Sequence, residues 1–165
     1  MPIATTSRAT KTRARSTRKT PYAITLLTED HAKVRKMFKQ FERSHEKMDD
    51  AEKAELVQQI CMELTVHAQV EEEIFYPAAR EAIEEQDLLD EAEVEHASAK
   101  DLISQLQSME PGDDLYDAKV TVLGEYIDHH VKEEEKEMFP KVRKARLDLE
   151  MLAEQIEERK QQAMQ

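Results

Sequence analysis

Two segments of the chain each place a histidine and a glutamate four residues apart. The first runs from His67 to Pro77 (HAQVEEEIFYP) and the second from His130 to Pro140 (HVKEEEKEMFP), so a shift of 63 positions aligns the His, two Glu, an aromatic residue and the Pro. Residues four apart lie on one face of an α-helix. An imidazole and a carboxylate that share an inward face are suited to bind a metal ion.

Two further histidines lie on the apolar faces of other predicted helices. His31 lies between Leu27 and Val34 at the spacing of a helix with one buried face, and His96 has the same setting on a later helix. A single histidine on such a face is commonly a hydrogen-bonded structural residue. One inward histidine on each of four helices, two of them followed by a glutamate one turn later, indicates a shared site.

The second segment contains two adjacent candidate pairs. His130 and Glu134 continue a face with three aliphatic residues, whereas His129 and Glu133 continue a shorter and more polar face. The 63-residue shift selects His130 and Glu134, so we expect this pair in the core, with the other pair as the alternative. The remaining acids of the two segments are expected on a solvated face: Glu72, Glu73 and Glu135.

The inward carboxylates have no Lys or Arg on the same faces to neutralise them. Burying an ionised carboxylate without a partner costs several kcal/mol, out of a typical total stability of about 5–15 kcal/mol. A pair of divalent or trivalent cations would satisfy both carboxylates and four imidazoles at once. Imidazole with carboxylate suits Fe, Mn or Zn, and the one thiol, Cys61, lies on a different face.

The composition favours one α-helical domain. The chain has 165 residues with 2 Gly, 5 Pro and 36% charged residues, which disfavours a β-sandwich or a Rossmann sheet and fits amphipathic helices. No apolar run approaches the roughly 18–20 residues of a membrane span. The single cysteine excludes an intramolecular disulfide and fits a reducing compartment, so we expect a cytoplasmic protein.

Charge is divided unevenly along the chain. Residues 1–28 contain six basic and no acidic residues, whereas residues 29–165 contain 18 basic and 36 acidic residues, a net charge of −18. Such an acidic body does not resemble a nucleic-acid-binding surface. We expect residues 1–20 to form a disordered basic tail. Three interpretations of this tail remain open: a flexible extension, an arm that contacts nucleic acid or an anionic surface through residues 8–19, or a mitochondrial-type transit peptide.

Four long helices must position the inward side chains. Hydrophobic periodicity predicts these helices and a shorter last one over about 21–44, 51–85, 87–109, 113–143 and 147–163. The predicted fold is all-α, an up-down-up-down four-helix bundle over 21–145 with a short C-terminal amphipathic helix over 146–165, packed outside the bundle. Antiparallel order allows the inward groups to meet at one level. Pro77 should kink or end the second helix.

These residues resemble one protein family, the hemerythrin-like or HHE cation-binding domain, over about residues 22–145. The matching motifs are Asp30-His31, His67-x3-Glu71-Glu72 with Phe75-Tyr76-Pro77, Glu95-His96, and His130-x3-Glu134-Glu135 with Phe139-Pro140. The resemblance implies a non-haem centre of two Fe ions, oxo- or hydroxo-bridged, with Mn or Zn as alternatives. It implies terminal imidazole ligands, which would be His31, His67, His96 and His130, and bridging carboxylates, which would be Glu71 and Glu134.

The chain departs from the oxygen-carrying members of that family in one respect. Those members have a fifth His one turn from the third-helix ligand, but the residues four away from His96 are Ala92 and Lys100. This departure argues against reversible oxygen carriage and favours sensing or redox chemistry. Glu93 and His129 are the candidates to fill the position. A ferritin-like site would use Glu-x-x-His twice, and only Glu93 to His96 matches.

Three functions compete on these observations. The first is a non-haem di-iron protein that binds or reacts with O2, NO or peroxide in sensing, stress response or iron handling. The second is a weak peroxide-decomposing enzyme, with peroxidase- or catalase-like activity at the same centre. The third is a metal-free helical interaction protein with a basic arm. Metal content separates the first two from the third.

Overall fold

A computed structural model describes residues 22–165, and the expectations for residues 1–21 lie outside this range. The described residues form helices and turns without a β-strand. The helices are α1 Ala23–Ser44, α2 Asp50–Val70, α3 Tyr76–Ala82, α4 Gln86–Gln107, α5 Tyr116–Glu133, α6 Phe139–Lys144 and α7 Leu149–Ala163. Two five-residue π-helical turns, Glu71–Phe75 and Glu134–Met138, join α2 to α3 and α5 to α6. The predicted helical bundle is confirmed.

The core consists of two clusters that divide the bundle along its length. The first contains residues from the start of α1, the start of α4 and the two π turns: Ala23, Leu27, Phe75, Leu89 and Met138. The second contains residues from the end of α1, the start of α2, the end of α4 and the start of α5: Phe41, Ile60, Ile103 and Leu123. The starts and ends of successive helices therefore alternate between the two clusters.

The N-terminus of α2 is stabilised by a capping box, as its two leading acids suggested. Asp49 accepts a hydrogen bond from the backbone N–H of Glu52 at 2.8 Å, and the Glu52 side chain accepts one from the backbone N–H of Asp49 at 3.3 Å. These two bonds satisfy backbone donors that have no partner within the helix. They set the starting point of the helix that carries the first His-x3-Glu segment.

The chain passes Pro77 and Pro140 through the π turns without leaving the helical path. Each proline is at the start of a short α-helix, where its missing N–H costs little. The first π turn also moves the buried face of the helix by one residue. A regular helix would bury Ile74 and Ala78, but Phe75 and Ala79 are buried instead. π turns of this kind frequently occur at functional sites.

The last helix, α7, is part of the core rather than an outer cover. It packs against α1, α2 and the first π turn. Its residues Leu152, Ala153 and Ile156 are buried and belong to the first core cluster. Across residues 22–165, no helix combines the length and the apolarity needed to span a membrane.

Candidate metal centre

The six residues selected from the sequence lie together between the two core clusters. These residues are His31, His67, Glu71, His96, His130 and Glu134, and each has at most 8% of its surface exposed. They form two groups of four whose ligand atoms lie within 4.8 Å of one another, one with His31 and His67 and the other with His96 and His130. Glu71 and Glu134 belong to both groups. This is the arrangement that two metal ions with shared carboxylates require.

The two π turns begin at the shared carboxylates. The backbone C=O of Glu71 accepts from the N–H of Tyr76, and that of Glu134 accepts from the N–H of Phe139, both five residues later. His67 and His130 lie one turn before, in the last turns of α2 and α5. The repeated sequence segment therefore folds into the same local structure twice.

Each of the four imidazoles binds a carboxylate through its outer nitrogen. The Nδ1 atoms of His67, His31, His96 and His130 lie 2.9, 3.0, 3.2 and 3.3 Å from carboxylate oxygens of, respectively, Asp30, Glu135, Glu72 and Glu95. An ionised carboxylate only accepts hydrogen bonds, so Nδ1 is the donor in each pair. The carboxylate thereby fixes the ring orientation and leaves Nε2 directed at the centre, as it does around metal-binding histidines.

The inward nitrogens face one another at close range. The Nε2 atoms of His31 and His67 are 3.1 Å apart, and those of His96 and His130 are 3.2 Å apart. With Nδ1 carrying the proton, both Nε2 atoms of a neutral pair present lone pairs. Two lone pairs at this distance repel unless a proton or a cation lies beside them.

Three carboxylate oxygens at the centre are buried without a hydrogen-bond partner: Oε1 and Oε2 of Glu71 and Oε1 of Glu134. Glu71 Oε1 lies against His67 Nε2 as an ion-pair neighbour, yet without hydrogen-bonding geometry. Buried ionised oxygens are costly unless a positive charge neutralises them. Unpaired oxygens next to converging Nε2 atoms fit a pair of metal cations. The imidazole and carboxylate donors suit Fe, Mn or Zn.

In the metal-free protein, protons supply the missing positive charge. Burial opposes the charging of His67, but the Glu71 carboxylate outweighs it and raises the pKa of His67 to about 10. Burial also opposes the charging of His130, but the Glu134 carboxylate outweighs it and raises the pKa of His130 to about 11. Burial favours a protonated Glu134, but the imidazoles hold the pKa of that carboxyl well below its usual range. The centre therefore demands cationic charge whichever species provides it.

Tyr76 is a residue of the centre that sequence reasoning did not select. Its hydroxyl donates a 2.6 Å hydrogen bond to Glu134 Oε2 and lies 3.1 and 3.3 Å from the Nε2 atoms of His96 and His130. Burial and the carboxylates of Glu134 and Glu71 raise the pKa of Tyr76 well above its ordinary value, so the hydroxyl keeps its proton. Its place in the first repeated segment, where the second segment has Phe139, was the available signal.

The expectation that Glu72 and Glu135 lie on a solvated face was wrong. Both hold an imidazole of the centre, whereas Glu73 is at the surface and accepts from Arg159 at 2.7 Å. The four orienting acids share a signal, because each is the sequence neighbour of a candidate ligand: Asp30, Glu72, Glu95 and Glu135. A residue next to an inward-facing ligand in sequence points towards the neighbouring helix, and the imidazole of another ligand lies there.

Neither candidate for the fifth imidazole position reaches the centre. The Glu93 side chain is 58% exposed and pairs with Arg80, and the His129 side chain is 68% exposed. His130 and Glu134 are in the core, as the sequence predicted, and the alternative pair His129 and Glu133 is not. The polar group that stands beside the His96 and His130 nitrogens is the Tyr76 hydroxyl.

A small cavity adjoins the four imidazoles. Its volume is about 30 Å³, and its remaining walls are largely apolar, with Val34, Leu64, Ile103, Ile127 and Val131 among them. A cavity needs roughly 10–15 Å³ to hold one water molecule. The space beside the centre is therefore on the scale of one or two water molecules.

Comparison with known families and structures agrees with this geometry. The family model of the hemerythrin HHE cation binding domain matches residues 22–142. The chain belongs to the hemerythrin HHE cation-binding domain family. A crystal structure of an HHE cation binding domain-containing protein from Mycobacterium kansasii superposes with a TM-score of 0.72 over 87% of each chain at 23% identity. At that identity, the likeness shows the HHE fold.

A curated relative adds a different kind of information. A protein named DNA nickase from Nostoc sp. (strain PCC 7120) is 32% identical over 114 residues. The match covers 69% of this chain and 31% of the relative, so the HHE chain spans about a third of that protein's length.

Proposed function

We propose that this HHE domain is a non-haem di-iron protein whose buried centre binds or reacts with O2, NO or peroxide, in sensing, stress response or iron handling. One observation carries the proposal: two groups of two imidazoles share Glu71 and Glu134, and three of the carboxylate oxygens of this pair are buried without a hydrogen-bond partner. His31 and His67 would hold one ion, and His96 and His130 the other. A metal-free interaction domain would have no physical reason to bury this donor set.

Iron held by these residues would supply redox chemistry and a binding position for a small ligand. The chain's own residues restrict what reaches that position. Phe75 and Phe139 are almost fully buried, and the Phe139 ring stacks on His31 at a centroid distance of 5.9 Å. These rings and the apolar cavity walls limit the water around the centre. The size of the cavity supports diatomic molecules or peroxide as the ligand class.

Tyr76 can hold or deliver a proton at the centre. Its hydroxyl donates to Glu134 Oε2 at 2.6 Å and lies on the side of His96 and His130. A hydrogen bond to a charged acceptor at this distance is among the stronger ones in proteins. Peroxide chemistry needs protons at a dry centre, so Tyr76 is the residue that would serve a weak peroxidase- or catalase-like activity.

Metal content and spectroscopy test the proposal. The full-length chain, reconstituted anaerobically with Fe2+ and desalted, should retain about two irons per chain, as expected for a di-iron carboxylate site. Oxidation should give near-ultraviolet charge-transfer absorption, and added NO should change the spectrum. The double variant Glu71→Gln and Glu134→Gln should lose the bound iron and the charge-transfer absorption. Glu73→Gln should retain both, as in the wild type. Substoichiometric iron in the wild-type chain would refute the di-iron centre.

A second candidate, nicking of DNA, is favoured by the name of the Nostoc relative and by the six basic residues within 1–20. Against it, the described residues carry 18 basic and 36 acidic side chains, which repel a phosphate backbone. Incubating the full-length iron- or manganese-loaded chain with supercoiled plasmid tests it. Nicked circles that disappear in the Glu71→Gln and Glu134→Gln variant would support this candidate, and intact plasmid would reject it.

A further inference from the structure

A second group of metal-ligating side chains lies outside the buried centre. Glu95 on α4 and His129 and Glu133 on α5 meet at the surface, and their ligand atoms lie within 4.8 Å of one another. His129 Nε2 is 3.2 Å from Glu133 Oε1 and 3.8 Å from Glu95 Oε2. Two ligand atoms each about 2.1 Å from a tetrahedral ion are roughly 3.4 Å apart. The observed spacings therefore suit three ligands of one cation.

The surroundings of this outer group are acidic. The groove that contains it is also lined by Asp90, which pairs with Arg80, by Glu91, and by the exposed apolar side chains of Val94 and Tyr126, and no Lys or Arg is part of its lining. A cleft lined by charges of one sign concentrates counter-ions from solution. The groove is thus suited to collect cations.

The outer group is physically connected to the buried centre. Glu95 faces His129 with Oε2 while its Oε1 accepts from Nδ1 of the inner His130 at 3.3 Å. A small cavity between α4 and α5 has Glu95 and Glu133 on its outer side and His130 and Glu134 on its inner side. Glu134 is 2% exposed, and its Oε1 has no hydrogen-bond partner. Carboxylates of Glu95, Glu133 and Glu134 thus lie on both sides of this cavity, whose other walls include apolar Leu88, Ala92 and Met138.

We infer that Glu95, His129 and Glu133 form an outer divalent-cation site that captures metal ions and passes them between α4 and α5 to the buried centre. One imidazole with two carboxylates suits Fe2+, Mn2+ or Zn2+. Three protein ligands at the surface, one exposed and two half-buried, with water completing the coordination, hold an ion weakly enough to release it. The role as a path inwards rests on the proposed di-iron function, whereas binding at the outer site does not.

Metal-uptake kinetics test the path. The metal-free full-length chain is mixed anaerobically with Fe2+, and chelator-resistant iron is measured against time. The double variant His129→Ala and Glu133→Gln should load at least about tenfold more slowly but reach the same final iron content. Glu125→Gln removes one exposed negative charge from the same helix and should load at the wild-type rate. Wild-type kinetics in the double variant, or a lower final iron content, would overturn the path.

Binding at the outer site is tested separately from the buried centre. In the Glu71→Gln and Glu134→Gln background, with the helical fold verified by circular dichroism, Co2+ should still bind at one weak equivalent and show visible d–d absorption. Adding His129→Ala should abolish that equivalent. Absence of Co2+ binding in the background variant would show that the three residues form only an ion-paired triad. Absence of iron in the wild-type chain would instead refute the di-iron proposal and leave the Co2+ result to decide the outer site.

Discussion

At the residue scale, the centre combines inward donors with acids that hold them in place. Each imidazole has its Nδ1 against a carboxylate and its Nε2 directed inwards. Two of those acids also bind a lysine: Lys160 donates to Asp30 at 2.5 Å, and Lys100 pairs with Glu72. A substitution in the outer acids should therefore affect metal affinity before it affects the fold.

Replacing Asp30 with Asn should weaken metal binding. The amide cannot provide the charged acceptor for His67 Nδ1, and loss of such a partner typically lowers metal affinity about 10–100-fold. Iron retention during competition with a chelator measures the effect. Glu73→Gln is the matched control, because Glu73 also binds a cation of α7, Arg159, but touches no imidazole. Equal iron retention in Asp30→Asn and the control would contradict the orienting role.

Replacing Tyr76 with Phe should change the chemistry of the centre more than its metal content. The variant keeps the ring and removes the hydrogen bond to Glu134 Oε2, a charge-assisted bond worth about 1.5–3 kcal/mol. Both irons should remain, while the rate of reaction with peroxide falls roughly tenfold, which corresponds to about 1.4 kcal/mol. Stopped-flow mixing of the reduced protein with peroxide gives the rate. An unchanged rate would exclude Tyr76 as proton donor.

At the element scale, the two π turns and α7 place the centre. The π turns bring Glu71 and Glu134 into the core and carry the chain past Pro77 and Pro140. The helix α7 lies against the first π turn and extends the first core cluster beyond residue 142, where the family match ends. The chain thus uses a helix outside the matched region to complete the core beside its metal centre.

The substitution Ile156→Ala should destabilise the protein by about 2–4 kcal/mol, as for other large-to-small changes in a packed core. Ile156 is fully buried in the first core cluster. The urea midpoint of the metal-loaded protein measures the loss. Met151→Ala on the same helix is the control, because Met151 is 49% exposed and should change stability little. Similar midpoints for both variants would mean that α7 is not part of the folded core.

At the scale of the whole molecule, folding and metal binding are coupled. The unfolded chain does not hold His31, His67, His96 and His130 together, so metal bound at the centre would stabilise the folded state. Without metal, the buried carboxylates depend on protons carried by the imidazoles. The acidic charge of the described residues adds repulsion that bound cations reduce.

Removing the metal should lower the melting temperature. A metal present at about a thousandfold above its dissociation constant stabilises by about 4 kcal/mol, which corresponds to roughly 10 °C for a domain of this size. Calorimetry before and after chelation measures the shift. The Glu71→Gln and Glu134→Gln variant should show no chelator-dependent shift, and a shift of equal size there would place the stabilising metal elsewhere.

Removing residues 1–20 should leave iron content and melting temperature unchanged. The six basic residues of this segment lie outside the family match, and the described helices account for the whole proposed centre. If the segment contacts anionic partners, the truncated chain should lose salt-sensitive binding to DNA in a gel-shift titration. Loss of iron on truncation would show that the segment supports the centre.

Local patterns in the sequence predicted the helices, the inward faces and the six candidate ligands. The reason is physical: a histidine and a glutamate four apart share a helix face whatever the rest of the chain does, and burial follows the same period. The choice of His130 and Glu134 over His129 and Glu133 needed only that rule and the internal repeat. The family motifs added the expectation that Glu71 and Glu134 are shared.

Only the tertiary structure decided how those residues are held. The hydrogen bonds from His31 to Glu135 and from His67 to Asp30 join residues 104 and 37 positions apart, on different helices. No local period encodes such pairs, because they depend on how helices rotate and pack against one another. The same holds for Tyr76, which reaches the centre through a π turn that shifts the helical phase. Periodicity predicts which face is buried, and packing determines which partners meet there.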